Sequence, residues 1–385
     1  MRQIYLAATG QNRGKTTVAL GVLDGFRRRG FDAGFIKPVG QRYVIEDGVP
    51  ADEDAVLMKS VFDLDDPLAL MSPVHIPRGF TRAYIEGQIV DDLAGRIRAA
   101  HAELATRREI LLIEGTGHAG VGAVIGLSNA TVAALLGAPA IIVSEGGVGR
   151  PIDEIVVNAA LFAREGVRVA GAIVNKVDVD ARPDLPRILE RGLALHGIPL
   201  LGVLPYRPIL SNPTLAMVLE GVRGEPIHEG PNLDAVIDEV AIGAMEPEHV
   251  LERIGPGTLV IVPGDREDVL LAIATTHLVG PAGGARSSVG RSTAASGGAE
   301  RPGVALGLVL TGGYRPRRAV LDAIRRADLF CTLVEDDTYV VASAIHDLLV
   351  KTHPSDRGKI ELIKALVWEH LAIDRVLEAA APMAA

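Results

Sequence analysis

The chain has 385 residues, 48% of them apolar and 23% charged, with a formal net charge of −9, the profile of a globular protein of two or three domains. The acidic surplus argues against a surface that coats nucleic acid, where contacts to phosphate dominate binding. One cysteine, Cys331, excludes an internal disulfide or a multi-Cys zinc site and fits a reducing, cytoplasmic setting. The N-terminus runs straight into the first strand, so no signal peptide is expected, and no apolar run reaches the about 20 residues that span a bilayer.

The first apolar run, residues 4–8, leads into Thr9-Gly10-Gln11-Asn12-Arg13-Gly14-Lys15-Thr16-Thr17 and then a helical pattern. A strand, a glycine-containing loop ending Gly-Lys-Thr and a helix form a phosphate-binding device. Loop and helix N–H groups face the phosphates, Lys15 adds a point charge and the Thr16 hydroxyl can reach Mg²⁺. Val18, Val22 and Phe26 recur at helical spacing before Arg27-Arg28-Arg29 and a terminating Gly30. Further short apolar runs at 33–36, 110–113, 140–143, 169–174 and 200–203 are continuous rather than alternating, as in parallel strands buried on both faces. Alternation with helices predicts a doubly wound α/β layer, with its site at the carboxyl ends of the strands.

Each of those ends carries polar residues. Lys37-Pro38-Val39-Gly40 follows the second strand, placing a cation to steady a phosphoryl group or a carboxylate. Asp52-Glu53-Asp54 suits a helix start, and Asp54 is the favoured metal ligand of the three. The third strand ends Glu114-Gly115-Thr116-Gly117-His118, offering a second carboxylate, with glycines that allow N–H groups to approach an anion. His118 reads as a turn residue. Asn175-Lys176-Val177-Asp178 ends another strand, where Asn175 can meet a purine edge, adenine or guanine.

A second unit begins near residue 245. Strands are expected at 258–262, 304–310 and 330–334, with helices near 266–276, 317–326 and 339–349. The expected division is therefore 1–222, a linker at 223–244, and 245–376. Inside the second unit, 280–303 is rich in Gly, Ala, Ser and Arg and reads as a disordered insertion. Residues 356–378 carry an apolar stripe, Ile360, Ile363, Leu366, Val367 and Leu371, that predicts a packing helix.

Together, Thr9-x4-Gly14-Lys15-Thr16, Lys37-Pro38-Val39, Asp54, Glu114-Gly115-x-Gly117 and Asn175 resemble the dethiobiotin synthetase family of P-loop proteins over about residues 2–220. The N-terminal region of long phosphate acetyltransferases carries the same fold. Gly264-Asp265-Arg266, Leu310-Thr311-Gly312-Gly313 and Asp336-Asp337-Thr338-Tyr339 resemble the DRTGG domain that follows it there. The resemblance implies a P-loop NTPase fold followed by a smaller α/β domain, with ATP and Mg²⁺ as cofactors. It implies that Thr9 to Thr17 bind the nucleotide, with Lys15 and Thr16 at its phosphates, that Thr16, Asp54 and Glu114 hold the metal, that Lys37 stabilises the transferring phosphoryl group, and that Asn175 reads adenine. Gly115 and Gly117 become candidate acceptor or phosphate contacts, and Asp265, Arg266, Gly312 and Gly313 candidates for a ligand of the second unit.

Gly10-Gln11-Asn12-Arg13 and Gln41-Arg42-Tyr43 depart from the synthetase residues on the acceptor side. Cys331 lies in a strand-like run without a nucleophile elbow. Acetyl transfer would need a further large domain after residue 375. Two functions are consistent with the pattern. One is an ATP-hydrolysing enzyme, or one that phosphorylates a carboxylate-like or carbamate-like acceptor. The other is a nucleotide-sensing protein that regulates a partner such as a phosphate acetyltransferase. The fold points to a homodimer, with neither membrane nor nucleic acid as partner.

Overall fold

A computed structural model of the protein describes residues 1–46, 48–255, 257–279, 305–346, 348 and 351–381. The chain divides into two compact units. The first comprises residues 1–210 together with 351–385, the second residues 211–350.

The strands of the first unit are β1 (Arg2–Ala8), β2 (Ala33–Ile36), β3 (Val39–Gly40), β4 (Tyr43–Glu46), β5 (Val49–Asp52), β6 (Val74–His75), β7 (Ile110–Glu114), β8 (Ala140–Glu145), β9 (Val169–Val177) and β10 (Leu200–Pro205). Its helices are α1 (Lys15–Arg28), α2 (Glu53–Phe62), α3 (Leu68–Met71), α4 (Phe80–Ile85), α5 (Leu93–Arg107), α6 (Asn129–Leu136), α7 (Gly149–Arg164) and α8 (Leu185–Ala194). The central sheet has the order β10-β9-β8-β1-β7-β2 and is parallel throughout. All six strands expected from the sequence are present. The order reverses at β1, which opens the crevice that doubly wound sheets use for ligands.

Strand alternation divides the core into two layers. Ile4, Leu6 and Ala8 pack on one side with α1 and α2, while Tyr5 and Ala7 pack on the other with α5 and α6. Among the described residues, no helix is long and apolar enough to cross a membrane.

After α9 (Pro208–Ser211), the second unit contains α10 (Leu215–Val222), β11 (Glu225–His228), β12 (Glu239–Ile242), α11 (Pro247–Leu251), β13 (Thr258–Pro263), α12 (Glu267–Val279), β14 (Gly307–Thr311), α13 (Arg318–Arg326), β15 (Phe330–Leu333) and α14 (Thr338–His346). Its sheet has the order β11-β15-β14-β13-β12, with β11 antiparallel and the rest parallel. The expected insertion at 280–303 lies outside the described residues.

Two expected boundaries are corrected. The span 223–244 is not a linker, because it supplies both edge strands of the second sheet, β11 and β12. These edges are short and half-exposed, and β11 contains Pro226, so they lack the apolar run that marks a central strand. The C-terminal segment belongs to the first unit rather than the second. It forms α15 (Arg357–His370) and α16 (Ile373–Ala379), broken where Leu371 makes an antiparallel bridge to Gly202 of β10. The predicted stripe is buried, and Ile360, Ile363, Val367 and Leu371 of it join the core layer of α1.

Glycines in α1 make that contact possible. A Cβ on Gly21 would lie 2.2 Å from Val367 Cβ, and one on Gly25 would lie 2.7 Å from Ile373 Cδ1. Alanine at Gly21 gains about 1 kcal/mol of helix propensity, but overpacking costs about 1–3 kcal/mol. Gly21→Ala is therefore expected to lower the urea midpoint. Adding Val367→Gly, which removes the Cβ as well as both methyl groups, should cancel the clash and give a double-mutant coupling opposite in sign to the Gly21→Ala loss.

Candidate functional site

At the end of β1, residues 9–14 turn over the sheet before α1 begins. Asn12 (φ 59°) and Gly14 (φ 82°) take left-handed backbone. Gly14 is needed for a second reason: a Cβ there would fall 2.0 Å from Asn175 Nδ2. Val18 N donates to Gly14 O at 3.0 Å, so the N–H groups of Lys15, Thr16 and Thr17 belong to the first turn, which has no intrahelical acceptors.

The loop is held from β8 and β9. Asn175 Nδ2 donates to Arg13 O (3.2 Å), Lys176 N to Asn175 Oδ1 (2.9 Å), and Lys176 Nζ to Asn12 O (2.8 Å). Asn175 therefore buttresses the loop, using one of its two N–H groups and one of its two lone pairs in these bonds. The guanidinium of Arg13 pairs with Glu145 and lies 3.7 Å from Glu154. Thr9 Oγ1 and Ser144 Oγ share a hydrogen bond of 3.1 Å.

Beneath the loop, four predicted residues from four elements converge. Thr16 Oγ1 lies 3.1 Å from Asp54 Oδ1 and 3.3 Å from Glu114 Oε1. Lys37 Nζ donates to Asp54 Oδ2 at 2.5 Å and to Glu114 Oε1 at 3.0 Å. Asp52 caps α2 by accepting from Asp54 N, which fixes the Asp54 backbone. Lys37 is 4% exposed and Glu114 0%.

Burial and charge set the protonation states. Burial pushes Glu114 up to about 7, against the pull of Lys37. Burial opposes ionisation of Asp54 as well, but the Lys37 ammonium outweighs it and holds Asp54 below the usual carboxylate range. Burial works against the Lys37 charge, and Asp54 and Glu114 overcome it, raising Lys37 well above an ordinary lysine. Lys15, buried and repelled by Lys37, is lowered to about 8.

The donor set fits Mg²⁺. That ion keeps several waters and takes one or two carboxylates rather than a full protein cage, and Glu114 Oε2 is a buried oxygen without a hydrogen-bond partner. Among the described residues, no group of three or more His, Cys, Asp or Glu could hold a metal ion.

The two strand-end glycines are bonded differently. Gly115 N donates to Leu6 O at 2.8 Å, so this N–H is committed to the sheet. A Cβ on Gly115 would lie 2.4 Å from Asn129 Oδ1. Asn129 was not singled out in the sequence, yet it clamps the loop. Its Oδ1 accepts from Tyr5 Oη (2.8 Å) and Thr116 N (3.0 Å), and its Nδ2 donates to Thr116 O and His118 O (both 2.7 Å). An Asn in the first turn of a helix carries no local signal for that role. Gly117, at φ 69°, accepts from Ala8 N at 3.1 Å. His118 Nδ1 accepts from Gly120 N at 3.2 Å, a local turn.

In the second unit, Arg266 bonds both oxygens of Asp268 at 3.0 Å and the carbonyls of Ala244 and Met245 at 3.2 and 2.9 Å. Asp265 immediately precedes it at the β13–α12 turn. Gly312 N donates to Asp336 O and Gly313 N to Val334 O, both at 2.9 Å. The arginine and the two glycine N–H groups thus tie together loops of the second unit.

Asn129→Ala leaves Tyr5 Oη and the Thr116 backbone without their partner. Unsatisfied buried groups cost about 1–3 kcal/mol each, so the variant should lose at least about 2 kcal/mol in chemical denaturation. Tyr5→Phe, which deletes only one bond, should lose less.

Comparison with known proteins agrees with this division. An AAA domain model matches residues 2–214 and a DRTGG domain model matches residues 217–348. The phosphate acetyltransferase of Nitratidesulfovibrio vulgaris is 26% identical over 378 residues, covering 96% of this chain and 50% of that protein. That of Pseudomonas putida is 27% identical over 391 residues, covering 96% and 51%. The chain thus spans about half the length of these curated relatives and matches the two-domain order of long phosphate acetyltransferases. Among solved structures, Pyrococcus horikoshii MinD complexed with Mg-ADP is 17% identical, covering 54% of this chain and 83% of that one at a TM-score of 0.37. The CBS and DRTGG domains of the Clostridium perfringens pyrophosphatase regulatory region, complexed with diadenosine tetraphosphate, are 15% identical, covering 40% and 60% at a TM-score of 0.27. With the AAA model covering more than half of its residues, the chain belongs to this AAA-domain P-loop family and carries a DRTGG domain behind it.

Proposed function

We propose that the first unit binds Mg-ATP and turns it over, by hydrolysis or by phosphorylating a carboxylate-like or carbamate-like acceptor. The observation that carries this reading is the meeting of Thr16, Lys37, Asp54 and Glu114 beneath the loop ending Gly14-Lys15-Thr16. The phosphates would lie on the first-turn N–H groups of α1 and on Lys15, whose ammonium becomes favoured beside an anion. Thr16, Asp54 and Glu114 would hold magnesium, which when bound neutralises and orients phosphate oxygens. Lys37, kept charged by two carboxylates, supplies a fixed positive charge where negative charge grows in phosphoryl transfer. Asn175 offers its remaining N–H and lone pair to the adenine edge.

A second reading has its own support. The likeness to one half of the phosphate acetyltransferases runs through both domains, which favours a nucleotide-responsive region that regulates acetyl transfer.

Titration with ATP and Mg²⁺, combined with a phosphate-release assay, separates the two. Lys15→Ala removes charged hydrogen bonds and should weaken ATP binding about 10- to 100-fold. Lys37→Ala should abolish phosphate release. Tight binding with no release from the unaltered protein would favour regulation, and no binding at all would defeat both readings. Asp54→Asn and Glu114→Gln should make ATP affinity insensitive to chelation of Mg²⁺, a property the unaltered protein should lack.

A further inference from the structure

Next to the carboxylate cluster lies an open cleft of about 770 Å³, lined by Gln41, Arg42, Tyr43, Glu53, Ile76, Pro77 and Arg78. It is built from the segments that carry the cluster. Gln41 and Arg42 follow β3, which itself follows Lys37, and Glu53 directly precedes Asp54. Glu53 N donates to Arg42 O at 3.2 Å and Ile76 N to Gly40 O at 3.0 Å, so backbone bonds fix both walls. Tyr43 packs against His75 with ring centroids 5.7 Å apart.

Charge defines what the cleft can hold. Glu53 is already neutralised by Lys351. Arg42 and Arg78 pair with no carboxylate among the described residues, leaving two guanidinium groups facing one cavity. Guanidinium forks match carboxylate and phosphate oxygens in pairs. The wall between them, Tyr43, Ile76 and Pro77, is carbon and suits an organic body over a bare ion.

The geometry points to a binding site in this cleft for a small organic dianion, a dicarboxylate or a phosphomonoester, held by Arg42 and Arg78 and presented toward the Lys37 side. As the identity of the acceptor, this rests on the proposed turnover of ATP. As a binding site, it stands without it. It also gives the departure at Gln41-Arg42-Tyr43 a purpose, since that tripeptide forms one wall.

Calorimetric titration of the whole protein with succinate and with glycerol 3-phosphate tests the site, with acetate and putrescine as comparisons. At least one dianion should bind, and whichever binds identifies the source of the charge. Arg42→Ala and Arg78→Ala should each weaken that binding about tenfold or more, while Mg-ATP affinity and the thermal midpoint stay unchanged. Arg42→Lys, which keeps the charge but loses the fork, should fall between. Equal binding of acetate or putrescine, no binding of either dianion, or indifference to both arginine substitutions would overturn the site. If Mg-ATP binds and the dianions do not, the cleft alone fails. If a dianion binds in an arginine-dependent way and Mg-ATP does not, only the nucleotide reading fails.

Discussion

A lysine ammonium buried between two carboxylates is the constraint on which the site depends. Lys37 comes from the end of β2, Asp54 from the first turn of α2, Glu114 from the end of β7, and the Thr16 hydroxyl from the first turn of α1. Taking such charges out of water costs several kcal/mol per ion, and removing one partner typically costs about 3–5 kcal/mol because the other is left uncompensated. Four elements must therefore arrive in register. A sheet optimised only for apolar burial would place leucine at these positions. Polar groups held here come at a cost to stability.

Two asparagines extend this logic to the loops. Asn129 and Asn175 each use both ends of the amide to satisfy neighbouring backbone groups or side chains. Each also demands a glycine opposite, Gly115 and Gly14 respectively. The loops are rigid because buried amides replace the water that would otherwise solvate their backbone. Dipoles and charges held in place in this way are what electrostatic preorganisation requires.

Much of this was legible in the sequence because it rests on local signals. Continuous apolar runs mark strands buried on both faces, and the residues just after them fall in the crevice by topology. The quartet of Thr16, Lys37, Asp54 and Glu114 was readable for that reason. Three features were not. The hairpin strands β4 and β5 and the edge strands β11 and β12 are only four residues each and, apart from Ala51 and Asp52 of β5, half-exposed or exposed, too short to betray themselves by a run or an alternation. Asn129 has ordinary helix-start neighbours, and its role exists only once β1 brings Tyr5 beside it. The helices α15 and α16 show a clear apolar face, but periodicity states that a face is buried and not against what. The partner is a stripe of small residues more than 300 positions away, and one-dimensional pattern holds no record of that pairing.

That last pairing bears on how the polypeptide assembles. The second unit is spliced into the first between β10 and α15, so the first unit's core is split between the two ends of the described chain. During synthesis, β1 to β10 emerge long before Val367 and Ile373 can cover Gly21 and Gly25. The exposed face of α1 must wait, vulnerable to aggregation, while a complete autonomous sheet forms behind it. Contacts of such wide sequence separation close late because loop entropy is paid before they reward it. Final consolidation of the phosphate loop's own helix is thereby coupled to the successful folding of everything between.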